Sequence, residues 1–219
     1  MDNLIYILFI CITIPLALMA PLVNKNARQP VVFFIVGICV ALFVSEVNAL
    51  LLNLFAMDIS EFTIRVTPIS EEILKAIPIL FFAREISDKR ESIITMSLAV
   101  GIGFAVMENT FVLMGNIDSV TILWAIMRGF GTGMMHGMCT FLVGSGFSFV
   151  NKNKKLFIVG TFSLMSLAIT YHSVFNMLVQ SKYYYFGALL PMLTYLPFAV
   201  VRMKSQKEVS KNESAQENS

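Results

Sequence analysis

Charge is scarce in this chain. Only 14% of its 219 residues are Asp, Glu, Lys or Arg, against roughly 25% in soluble domains. Hydrophobic residues make up 57%, and mean hydropathy is +0.75. That balance excludes an ordinary water-soluble fold. Cysteine is scarce too. Cys11, Cys39 and Cys139 lie inside apolar runs, with no CxxC spacing and an odd count. This excludes a disulfide framework and leaves free thiols facing lipid or core. A net charge of +2 gives no reason to expect nucleic acid as a partner. No soluble domain and no short-period repeat interrupts the pattern. The first apolar stretch lacks a basic start and is long for a signal peptide, so it reads as a retained span.

What is present is a series of apolar runs. About 20 residues at ~1.5 Å rise cross a ~30 Å hydrocarbon core. The pattern predicts spans at 3–23, 31–55, 66–83, 92–115, 120–147, 156–180 and 184–201. The expected fold is all-α, a polytopic membrane helix bundle of about seven transmembrane helices. Residues 1–201 form its single domain, with core motifs in 67–176. Residues 202–219 form a polar tail expected to be disordered. One set of alternating loops carries Lys25, Arg28, Arg84, Lys89, Arg90, Lys152, Lys154 and Lys155, and the tail adds Arg202, Lys204, Lys207 and Lys211. The opposite side carries only Arg65 and Lys182. The positive-inside rule then puts the N-terminus outside and the C-terminus in the cytoplasm.

Against this background a few polar residues stand out. Glu71, Glu72, Glu108, His136 and His172 all fall within the expected spans. An ionisable group at mid-bilayer costs roughly 2.5–3.5 kcal/mol. On the expected topology all five lie in the outer half or near the midplane. They read as one polar site assembled by four helices and most accessible from outside.

The local patterns support roles for several neighbours. In Thr67-Pro68-Ile69-Ser70-Glu71-Glu72-Ile73-Leu74-Lys75, Thr67 reads as an N-cap and Pro68 as a first helical residue. Early acidic residues suit a helix dipole, and Glu71 with Lys75 forms an i, i+4 ion pair. Two adjacent carboxylates also point about 100° apart, so one can face a cavity while the other anchors its surroundings. Pro78 is expected to loosen this helix. In Gly101-Ile102-Gly103-Phe104 through Glu108-Asn109, Phe104 and Glu108 share a face. Arg128, Thr132, His136 and Thr140 form a polar stripe, with Gly129, Gly133 and Gly137 as a small-residue face for close helix approach. Arg128 is expected to pair with Glu108 or Glu46. His172 and Asn176 share a face and can donate into one volume, the geometry wanted for an oxyanion. Glu46, Asn48 and Asn53 read by default as helix–helix hydrogen bonding.

The ordered set E-E-x-x-K, F-x-x-x-E-N, a mid-helix histidine and H-x-x-x-N resembles the PrsW family of intramembrane proteases, which looks related to the CAAX-protease and bacteriocin-processing superfamily. The resemblance runs from Thr67 to Asn176. It implies catalytic roles for Glu71, Glu72, Glu108, His136, His172 and Asn176, with Lys75, Asn109 and Arg128 in support. Glu108 stands where the CAAX-type relatives carry a histidine. The implied activity is site-1-like hydrolysis of a peptide bond near the extracytoplasmic face, in a membrane-anchored substrate such as an anti-sigma factor. The expected setting is a prokaryotic cell membrane, with the lipid bilayer as the other partner.

The expected mechanism is a glutamate-activated water with no cofactor. Glu71 is the first choice of base over Glu72, and Glu108 or His136 positions the water. Zinc is the alternative cofactor, with Glu71, Glu108, His136 and His172 as its ligands. No HExxH spacing exists to favour it. Intramembrane carboxylates and histidines also fit a proton-coupled transporter, but the expected internal pseudo-symmetry is absent. A haem held by the two histidines is a further rival, which a Soret band would reveal.

Overall fold

The computed structural model describes residue 14, residues 25–116, residue 118, residues 120–197 and residue 200. Apart from Ile14, the span expected at 3–23 and the tail at 202–219 lie outside the described residues. Among those described there is no strand. The helices are α1 (Lys25–Phe55), α2 (Ile59–Arg65), α3 (Thr67–Phe81), α4 (Arg90–Gly115), α5 (Ile122–Phe147), α6 (Lys154–Val179) and α7 (184–197).

Among the described residues three helices are long and apolar enough to cross a membrane: Ala27–Phe55 within α1, then α4 and α6. Their flanks agree. Phe43, Leu50, Leu54, Phe81, Ile122, Phe130, Phe162 and Leu193 are all exposed on the protein surface. Water would not tolerate so broad an apolar surface, whereas lipid requires one. The chain is a membrane protein. The helix α5 matches α6 in length at 26 residues, but Arg128, His136 and its glycines dilute its hydropathy.

Local chemistry sets the ends. Asp58 caps α2, accepting from the Ser60 and Glu61 amides at 2.8 and 3.4 Å. This helix falls where the sequence reads as a polar loop, because seven residues are too few to show a period. Thr67 does not cap α3 but is its first residue, following an uncapped Val66, with Pro68 in the opening turn. Pro78 stays inside α3, and one π-helical turn follows at Phe82–Ile86. A missing amide at proline and a π turn are both known sources of local loosening. Lys25 to Pro30, expected as a loop, is helical.

Packing centres on α3, the short helix. It touches α1, α2, α4, α5 and α6, and only the stripe Ile69, Ile73, Ile77 and Phe81 is left exposed. The helix α4 lies between α1 and α5, and α5 also packs on α6. Two glycines let α4 do this. A Cβ at Gly103 would run into the Phe34 carbonyl of α1, and one at Gly101 into Thr140 and the His136 carbonyl of α5. The expected stripe Gly129, Gly133, Gly137 does not serve this purpose. Gly129 and Gly133 face open space, and Gly137 makes only ordinary contacts. That face permits close approach, but among the described residues no helix backbone comes close to it. Asn48 does bond between helices, accepting from Ser70 Oγ at 2.5 Å. Cys39 is exposed and Cys139 buried, and both are free thiols.

Candidate active site

The two glutamates of α3 have different fates. Glu72 is fully enclosed. Its Oε1 accepts from Lys75 Nζ at 2.6 Å and pairs with His172 Nδ1 at 2.8 Å. The lysine thus pairs at i, i+3 with Glu72, not at i, i+4 with Glu71 as the spacing suggested. Both spacings put the partners on one helix face. The choice falls to Glu72 because His172 of α6 meets the same oxygen. Glu71 is also buried, but its Oε2 has no hydrogen-bond partner and lies 3.8 Å from His172 Nε2.

Lys75 is completely buried and spans the site. Its ammonium also reaches His136 Nδ1 at 2.8 Å and lies 4.5 Å from the Phe104 ring centre. An ammonium paired to a carboxylate has only donors, so His136 Nδ1 must accept. His136 Nε2 then carries the ring proton and donates to Glu108 Oε2. The other Glu108 oxygen accepts from Arg128 at 2.8 Å, which is one of the two pairings the sequence suggested. His172 follows the same logic. Its Nδ1 faces a carboxylate and donates to it, so in the neutral imidazole Nε2 carries the lone pair, beside Glu71. The two imidazoles stand edge to face, with centroids 5.0 Å apart.

The structure therefore joins Glu71, Glu72, Lys75, Glu108, Arg128, His136 and His172 in one cluster. Asn176 is placed differently. Its amide donates to the Thr63 carbonyl of α2 at 2.9 Å. Asn109 follows Glu108 on α4, with its Oδ1 buried and unpartnered. Sequence reasoning left Thr132 without a role beyond the stripe. It is fully buried, its hydroxyl has no partner, and it lines a cavity of about 570 Å³. Arg128, Trp124, Phe175 and Tyr184 share that cavity.

Glu71, His136 and His172 each bring one donor atom to within 4.8 Å of the others. Two glutamate and histidine donors fit a metal in their protonation. Glu71 Oε2 is unpartnered, and His172 holds the carboxylate–imidazole arrangement common behind metal-binding histidines. His136 is less ready, because Lys75 occupies its Nδ1 and its Nε2 proton goes to Glu108. A metal held by these three residues would have to replace one of those bonds.

A family model, PrsW family intramembrane metalloprotease, matches residues 25–202. No curated protein and no solved structure matches the chain.

Proposed function

The chain belongs to the PrsW family of intramembrane proteases, and we propose that it hydrolyses a peptide bond near the extracytoplasmic face of a membrane-anchored protein, an anti-sigma factor being one such substrate. The carrying observation is the free Glu71 oxygen 3.8 Å from the free nitrogen of His172. Two acceptors that close can share one water, taking both its protons and leaving a lone pair for attack. Glu71 takes the proton as the water oxygen adds to the scissile carbonyl. His136 Nε2–H, which donates to Glu108 in the unliganded site, turns that bond to the oxyanion as it forms. The proton on Glu71 then passes to the leaving amine, with His172 as its relay. Lys75, Glu72, Glu108 and Arg128 fix the two rings, and Asn176 positions α2.

The placement near the outer face rests on charge. Loops 84–90 and 151–155 meet at one end, where Lys152 donates to the Asp88 carbonyl at 2.6 Å. At the other end Gln180 bonds to Ser60 and Thr63, and few basic residues are present. The cavity lining includes Asn116, Thr121 and Gln180 of this second end. The same bias supports a multi-pass, N-outside arrangement, and the family resemblance supports a prokaryotic membrane.

The test uses purified protein in detergent with a single-span reporter carrying a fluorogenic extracytoplasmic segment. Wild type cleaves and Glu71→Ala does not. Equal rates in the two would end the proposal. The family description as a metalloprotease favours a second reading, zinc dependence. Full activity after exhaustive chelation, with no zinc by elemental analysis, supports the glutamate mechanism. Activity lost with chelation and restored by zinc would replace it.

A further inference from the structure

The cavity beside the cluster carries more than apolar surface. Six threonines, Thr63, Thr95, Thr110, Thr140, Thr170 and Thr194, return their hydroxyls to the carbonyl four residues back, at 2.8–3.1 Å. Thr132 does not, although it is fully buried in mid-helix and the Arg128 carbonyl stands at that position. Its hydroxyl is unpaired and sealed within the cavity wall. One turn away, Arg128 spends its NH2 on Glu108 while its Nε is buried and unpaired, and it lines the same cavity. Leaving such groups unsatisfied is costly, so the pair is poised for a ligand's polar atoms.

Side chains at i, i+4 leave the helix about 6 Å apart at Cβ, close to the repeat of alternate carbonyls along an extended chain at ~3.3 Å per residue. A transmembrane helix offers no such carbonyls, since its own turns use them. The cavity walls beyond Arg128 include the apolar Trp124, Met127, Phe175 and Val179. A volume of about 570 Å³ holds a short segment with a large side chain. The five charged groups of the cluster, three glutamates, Lys75 and Arg128, leave no net positive charge to attract an acidic ligand. Neutral carbonyls fit better.

Resting on the proteolytic reading above, we infer that this cavity seats an extended, unwound stretch of the substrate, with Arg128 Nε and Thr132 Oγ1 pairing its main chain and a large apolar residue against Trp124 and Phe175. Arg128 joins this subsite to Glu108 and so to the reacting centre.

Trp124 is the chain's single tryptophan, so its emission reports occupancy of this cavity. The probes are ten-residue peptides that differ only in a central Gly, Leu or Phe, used unlabelled for binding and in fluorogenic form for cleavage. Full-length Glu71→Gln protein in detergent should show a saturable emission change, tightest with Phe and weakest with Gly. Adding Thr132→Val should weaken that affinity about tenfold. In the active protein, Thr132→Val should raise KM about tenfold with kcat within twofold, the pattern of lost uniform binding. An unchanged melting temperature separates this from a packing defect. Wild-type cleavage with no emission change, or Thr132→Val kinetics equal to wild type, overturns the subsite and leaves the protease standing. Saturable emission with no cleavage by wild type upholds the subsite's binding and overturns the catalytic reading. Absence of both overturns both.

Discussion

His136 and His172 are alike in most respects. Both are fully buried, on helices of 26 residues, with ring centroids 5.0 Å apart. Yet His136 has both nitrogens engaged, by Lys75 and Glu108, whereas His172 has one engaged by Glu72 and one free beside Glu71. The adjacent glutamates divide the same way. Each keeps an unpaired Oε2, but Glu72 is tied through Oε1 to Lys75 and His172, whereas Glu71 has only His172 Nε2 near it, at 3.8 Å. One side of the site is a fixed frame and the other holds the free bases. A buried ionic frame does little for net stability, but it fixes tautomers, and that fixes which atoms remain free.

The largest test of this division compares the glutamates. Glu71→Gln should lower the cleavage rate by about 10³-fold or more, at the upper range for a general base, with little change in melting temperature. Glu72→Gln should lower the melting temperature, since Lys75 loses its charged partner. If Glu72→Gln instead kills activity without loss of stability, and Glu71→Gln stays active, the roles are reversed.

Next is Lys75→Met. It leaves Glu72 charged in the interior with only His172 beside it, and it frees His136 to change tautomer. Removing one member of a buried pair costs roughly 3–5 kcal/mol. Thermal unfolding in detergent should show it, and Lys75→Arg should not fully restore it, because a planar fork cannot place one nitrogen on both Glu72 and His136. Wild-type stability in Lys75→Met would mean that the frame is not held by this lysine.

Gly101→Ala should be milder. Its methyl group would press on Thr140 and the His136 carbonyl, and overpacking of this kind costs about 1–3 kcal/mol. Activity should fall along with stability, because His136 shifts. Loss of stability without loss of activity would show that His136 tolerates displacement and is not the oxyanion donor.

The sequence made part of this legible. The polar residues within apolar runs located the cluster, since burying charge in a membrane requires partners. Arg128 with Glu108 followed from the need to neutralise a buried carboxylate. The Lys75 partner did not follow, because Glu71 and Glu72 both lie within reach on one helix and the deciding contact comes from α6. The glycine stripe of α5 failed for a similar reason. Small residues mark a face that permits approach, but the neighbour's position decides whether it is used. At Gly101 and Gly103 a neighbour is present. The Thr132 hydroxyl had no signal of its own, since an unpaired group is defined only by what surrounds it.

The smallest expected effect is at Asn176, and it decides between two readings of the same spacing. Sequence alone made Asn176 an oxyanion donor alongside His172. In the structure its amide holds the Thr63 carbonyl, tying α2 to α6 near the bonds of Gln180 to Ser60 and Thr63. An oxyanion donor is worth about 10²–10³ in rate. A neutral hydrogen bond between helices is worth about 1 kcal/mol, less than tenfold at room temperature. Asn176→Ala should therefore slow cleavage by less than tenfold and speed amide hydrogen exchange in Ile59–Arg65, with exchange in α3 unchanged. A hundredfold loss of kcat with α2 exchange at the wild-type rate would return Asn176 to the reacting centre and require its amide to leave Thr63 when substrate binds.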